Sequence, residues 1–234
     1  MADILIVLTS HTALGETGRP TGFYYEELAV PYWALVDAGH RVTLASIQGG
    51  AAAHDPTSLD AEPSKRPAAV QRFLDAPEAM AALANTAAIS DIDPAAYDAI
   101  FLPGGHGTAF DFPQSTALAK AVSAIHAAGG VVAAVCHGPA GLVNATRADG
   151  TPLVAGLRVN SFTNAEEEAV GLTDVVPFLL ETRFRELGAH FEAGADFTET
   201  AIRDGRLITG QNPMSSAAVA TLLLDALTET RAAA

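Results

Sequence analysis

Short apolar runs recur along the chain, separated by stretches in which apolar positions fall at helical spacing. Residues 4–8 (Ile-Leu-Ile-Val-Leu) form the first run, and the polar, glycine-containing stretch 9–22 reads as the loop after a buried parallel strand. Over 24–37 the period changes: Leu28, Tyr32 and Leu35 share one face of a predicted helix, and Gly39 stops it. A second strand is predicted over 41–47, ended by Gly49-Gly50. Residues 51–93, with an Asp55-Pro56 turn and a helix predicted over 68–84, read as an excursion from the sheet. Alternation then resumes with strand 99–102, a glycine-rich turn at 103–107, helix 116–128, strand 131–135 and a helix opening at Cys136 or His137. A strand over 157–162, an amphipathic helix over 175–187, a hairpin of 197–202 with 206–209 joined by Asp204-Gly205, and a last helix over 214–228 complete the pattern. The expectation is an α/β fold, a parallel sheet sandwiched by helices with a C-terminal hairpin and a small inserted helical segment. No repeat or linker divides the 234 residues, so one domain over 1–234 is expected.

Composition narrows the function classes. Thirteen Lys and Arg against 27 Asp and Glu leave a formal charge of −14, which opposes the phosphate contacts that nucleic-acid binding depends on. Hydrophobic residues make up 49% of the chain, enough for a sizeable core and contrary to disorder. No apolar stretch is long enough for a membrane helix, and Met1-Ala2-Asp3 lacks the basic start of an export signal. With a single cysteine, Cys136, and hence no disulfide within the chain, a reducing cytoplasm is the expected compartment.

Four segments could carry chemistry. In Val135-Cys136-His137-Gly138-Pro139 an apolar strand runs straight into a cysteine, the pattern of a nucleophile elbow. A side chain there projects above the carboxyl edge of the sheet, where parallel α/β folds place ligands, and a helix N-terminus beside it favours the thiolate. The alternative is a buried structural cysteine. Directly after another strand, Gly104, Gly105 and His106 offer backbone N–H groups; Gly105 and the N–H of His137 are the expected oxyanion hole. A phosphate cradle is disfavoured, since no Gly-Lys-Ser/Thr ending follows. Glu26 and Glu27 sit at the start of a helix, where acids commonly just complement the dipole; about 100° separates neighbours, so only one can face a given pocket. Glu166, Glu167 and Glu168 follow the 157–162 strand, and one of them could orient His137. His11, His40, His54 and His126 are expected to face solvent, and none has metal-ligand spacing, so no metal is expected.

Jointly, Thr21-Gly22 through Glu27 to Pro31, Pro103 through Gly107, Ala134 through Pro139, Phe162-Thr163 through Glu167, and Thr209 through Pro213 resemble the ThiJ/PfpI superfamily, in the branch of glutathione-independent glyoxalases and related stress chaperones. The likeness covers nearly the whole chain. It implies a flavodoxin-like fold, usually a homodimer, with Cys136 as nucleophile, His137 as its proton-transfer partner, Glu27 contacting the thiol and Glu167, with Glu168 as understudy, orienting His137. The implied reaction converts methylglyoxal and water to lactate through a Cys136 hemithioacetal, without cofactor. Tyr24, Trp33, His106 and Phe162 are expected pocket residues. Deglycase, peptidase, holding-chaperone and redox-sensor roles use the same residues. A class I glutamine amidotransferase would instead serve the cysteine from a late His-x-Glu pair, for which His190-Phe191-Glu192 is the only candidate.

Overall fold

The computed structural model describes residues 1–232. Nine strands appear in chain order: β1 (Asp3–Leu8), β2 (Arg41–Ser46), β3 (Ala87–Ala88), β4 (Ala99–Leu102), β5 (Val131–Val135), β6 (Arg158–Val159), β7 (His190–Phe191), β8 (Ala201–Asp204) and β9 (Leu207–Gly210). The helices are α1 (Tyr25–Asp37), α2 (Ala68–Leu74), α3 (Pro77–Ala84), α4 (Thr108–Asp111), α5 (Thr116–Ala127), α6 (Asn164–Ala169), α7 (Leu180–Glu186) and α8 (Ser216–Ala232). Seven strands form one sheet in the order β3-β2-β1-β4-β5-β9-β8, parallel except for the β8–β9 hairpin; β6 and β7 pair separately.

Burial on both faces explains the uninterrupted apolar strands. Along β1, Ile4, Ile6 and Leu8 join Leu28 and Leu35 of α1 and Leu223 of α8, while Leu5 and Val7 join Leu118, Val122 and Ile125 of α5. Each such side chain contributes about 1.5–3 kcal/mol through burial, and the period-2 alternation is what lets one strand serve two layers. From β1 the chain winds outward to β2 and β3, then crosses back to β4 on the other side. The carboxyl ends of β1 and β4 therefore flank a switch point, the position at which open α/β sheets bind ligands.

Several expectations change. The 68–84 helix is two helices, because Pro77 opens α3 and leaves Ala76 extended (φ −97°, ψ 104°). The 51–93 excursion also returns to the sheet, contributing β3 at its edge. Helix 175–187 starts only at Leu180, and Pro177 disfavours helical backbone at Val176, the residue before it. Of the strand expected at 157–162 only Arg158–Val159 pairs, and with β7 rather than the main sheet. The hairpin is shorter than expected: Phe197 takes a positive φ of 53°, and the turn residues are Gly205 (φ 59°) and Arg206, with Asp204 paired to Leu207. After Cys136 comes only a 3-10 segment, Gly138–Leu142; so short a turn supplies little of the dipole expected to favour a thiolate.

Candidate active site

β5 delivers Cys136 to the sheet's carboxyl edge, where its backbone holds a left-handed conformation (φ 60°). For a non-glycine residue this is strained and persists only where neighbours enforce it. They do: the Cys136 N–H donates to the Gly210 carbonyl (2.9 Å), and the Cys136 carbonyl accepts from the Phe162 N–H (2.9 Å). The next turn must be glycine, since a Cβ on Gly138 would meet the Leu102 carbonyl oxygen at 2.0 Å.

From α1, Glu27 reaches this residue and is wholly buried, whereas Glu26 is half-buried. The Gly104 N–H donates to Glu27 Oε2 at 2.6 Å. Glu27 Oε1 has no hydrogen-bond partner; the neighbouring Cys136 thiol is the group that interacts with this carboxyl. Burial raises Glu27 to about 8, against the lowering effects of the Gly104 N–H and the thiol. Gly104 must lack a side chain here, because a Cβ would lie 2.8 Å from Glu27 Oε2 and 2.6 Å from the His137 nitrogen.

On the other side of the sulfur, His137 Nδ1 lies 3.4 Å from Cys136 Sγ and His137 Nε2 lies 2.7 Å from Glu167 Oε2. Burial, reinforced by His106, lowers the His137 imidazole despite Glu167. Burial works to raise Glu167, but His137 and His106 outweigh it and hold the carboxyl at about 2. A neutral His137 donating from Nε2 to the Glu167 carboxylate leaves Nδ1 bare and able to accept from the thiol. His106 Nε2 shares the same carboxylate (2.9 Å) and its ring lies 4.1 Å from that of His137. Glu168 is exposed.

Cys136 departs from expectation. Its side chain is only 4% exposed, and burial together with the Glu27 charge pushes the thiol well above its usual range. The resting residue is a neutral thiol poised between an acid and a base. Sequence spacing offers no metal site, yet the fold brings ligand atoms of His106, His137 and Glu167 within 4.8 Å of one another; the hydrogen bonds just described satisfy all three.

Gly105 (φ 101°) packs where a Cβ would meet the Gly22 carbonyl at 2.3 Å. Above the site lies a cavity of about 330 Å³ lined in part by Tyr24, His106 and Phe162. Trp33 is not among its walls; it packs with Tyr32 and Phe73 beneath the Arg72 guanidinium. An open groove over α5, lined by Lys120 and Arg147, holds none of the groups around Cys136. His190 is exposed and Glu192 pairs with Arg158, so neither joins Cys136. His11, His40, His54 and His126 are half-buried rather than solvent-facing: His11 stacks on Phe110, and His54 packs against Tyr25.

Glu166 is the residue whose part the sequence reading missed. Fully buried, it accepts from the N–H groups of Thr163 and Phe197 and from the side-chain amides of Gln211 and Asn212. The Thr163-x-x-Glu166 capping box was the visible signal; its links to 197 and 211–212 were not.

A strained cysteine at the carboxyl end of a central strand, in a flavodoxin-like sandwich and flanked by a buried acid and an imidazole, defines the nucleophile-elbow class of α/β proteins. Within that class the chain belongs to the DJ-1/PfpI family, whose model matches residues 20–226. Glyoxalase 3 of Candida albicans is 32% identical over 92% of this chain and 94% of its own length. A glutathione-independent glyoxalase of Schizosaccharomyces pombe is 33% identical over 87% of this chain and 86% of its own. Among solved structures, the Rapid Encystment Protein of Francisella tularensis superposes with a TM-score of 0.92 at 35% identity, covering 97% of this chain and 99% of that one. Glyoxalase III of Candida albicans gives 0.88 at 31% identity, covering 96% and 97%.

Proposed function

We propose that the protein is a glutathione-independent glyoxalase that converts methylglyoxal and water to lactate. The observation that carries this reading is the Cys136 sulfur set between a carboxyl raised to about 8 and an imidazole whose far nitrogen is pinned by a carboxylate. Glutathione-independent glyoxalases among the relatives support it.

Like charges so close do not both ionise, so Cys136 and Glu27 act as a pair that gives up its first proton near 8 and shares the second. With that proton on Glu27, the thiolate bonds to the aldehyde carbon, and the oxygen of that carbon takes the charge under the Gly105 and His137 N–H groups. His137 Nδ1 removes the hydrogen from the former aldehyde carbon while Glu27 gives its proton to the adjacent carbonyl oxygen, producing an enediol. The His137 proton then returns to the neighbouring carbon. What remains is a lactyl thioester, and water cleaves it to lactate and the free thiol. Glu167 holds the tautomer throughout, and His106 steadies Glu167 at the cavity wall.

A cytoplasmic homodimer belongs to the same reading. No helix among the described residues is long and apolar enough to cross a membrane; light scattering in solution tests the dimer. The activity itself is tested by following methylglyoxal and lactate in the absence of glutathione. Turnover that disappears in Cys136→Ala is expected; full turnover in that variant discards the mechanism.

A further inference from the structure

We infer that the mouth of the Cys136 site is a subsite for 2-oxoaldehydes whose substituent is apolar and larger than methyl, so that methylglyoxal underfills it. This rests on the glyoxalase reading and extends it to the substrate's far end.

The cavity of about 330 Å³ is in the range that encloses drug-sized ligands, whereas methylglyoxal offers only a methyl group beyond its two carbonyls. Its walls include Leu14, Phe162, Val170, Leu172, Phe197 and Met214. The exposed large hydrophobics among the described residues are Met1, Val170, Phe197 and Met214, so all but the first residue of the chain surround this one opening. Scattered exposed apolar residues are ordinary; their concentration at one cavity marks a surface that binds something apolar.

Phe197 is held in place. Its left-handed backbone (φ 53°) is strained for a non-glycine residue, and its N–H donates to the buried Glu166 Oε1 at 2.8 Å. The ring meets Phe162 at 6.2 Å, and Phe162 meets the His137 imidazole at 4.6 Å. An unbroken aromatic path therefore runs from the rim to the imidazole beside the sulfur. The polar wall is less available: Asp55 already accepts from the Thr21 hydroxyl and from the N–H and hydroxyl of Thr57. Arg19 is the one cation lining the cavity, and it makes an anionic substituent the competing occupant.

The test is kcat/KM for a series R–CO–CHO with R as methyl, propyl, phenyl and a carboxylate-bearing chain, in the full-length protein. The expected result is a rise of about tenfold from methyl to propyl, a similar preference for phenyl, and no gain for the carboxylate. Phe197→Ala returns the propyl-to-methyl ratio toward one, and Met214→Ala, at the solvent-facing rim, moves it the same way by less. Methylglyoxal turnover with a flat or falling alkyl series, a carboxylate-bearing substrate turned over best, or both variants leaving the ratio unchanged overturns the subsite alone. Absence of turnover for every 2-oxoaldehyde overturns the glyoxalase reading and the subsite with it.

Discussion

Two helices, α1 and α6, bring acidic first turns toward the same sulfur, and their carboxyls behave in opposite ways. Glu27 is fully buried with a single N–H donor, and desolvation carries it to about 8. Glu167 is buried too, yet two imidazole nitrogens face its oxygens and hold it at about 2. Both stand in a helix's first turn; what differs is the partners, two imidazoles that can carry positive charge at Glu167 against a neutral N–H and a thiol at the fully buried Glu27, and that difference decides which carboxyl keeps a proton at neutral pH. One side of the site thus stores a proton while the other is a fixed negative charge that orients a base.

The largest effect concerns the atom between them: Cys136→Ala is expected to lower methylglyoxal turnover by about 10³-fold or more with the fold intact. Glu27→Gln and Glu167→Gln should each lower kcat by about 10²-fold or more, with different pH signatures. Turnover of the unmutated protein should climb with pH and level off above about 8, where the Cys136–Glu27 pair has lost one proton. Glu27→Gln moves that limb to the pH at which the thiol ionises without a neighbouring carboxyl, whereas Glu167→Gln lowers the curve and keeps the limb in place. Identical profiles for the two variants break the comparison.

Stability sharpens it further. The folded Glu27 keeps its proton up to about 8 while an unfolded one releases it near 4.5, so the folded protein loses stability as pH rises through that window, in total on the order of 4–5 kcal/mol. Glu167 runs the other way: its contribution, on the order of 3 kcal/mol, is present above about 4.5 and lost as pH falls toward about 2. In urea denaturation across pH, Glu27→Gln should gain on the unmutated protein between 4.5 and 8, and Glu167→Gln should fall behind it as pH rises from 2 to 4.5. Parallel curves overturn the assignment of proton states. Glu166→Ala, which strips the acceptor from buried amides of 197, 211 and 212, should cost about 3 kcal/mol in the same assay. At the small end, Arg158→Ala breaks the exposed pair with Glu192 and should leave the melting temperature unchanged.

Legibility in the sequence followed the range of the interactions involved. The runs at 4–8, 99–102 and 131–135 announced buried parallel strands, because a strand covered on both faces must be apolar throughout. The elbow was legible because its strain needs a local pattern, Cys136 followed closely by Gly138. The misplaced boundaries lie where a proline outweighed periodicity, at Pro77 and upstream of α7, or where a strand's partner was remote, as with β6 and β7.

The sequence by itself settled the α/β class, the nucleophile-elbow pattern at Cys136 and the residue types gathered around it. The residues taken alone left Glu26 against Glu27 and the three glutamates of 166–168 open, and the family resemblance pointed to Glu27 and Glu167; the tertiary structure set Glu27 at the sulfur and Glu167 at two imidazoles, and it alone sent Glu166 into a cradle of amides and Glu168 into solvent. It also left Cys136 a neutral thiol where a helix start had pointed to a thiolate. A carboxyl or thiol takes its protonation from desolvation and from donors supplied by segments scores of residues away, and those distances exist only once the chain has folded.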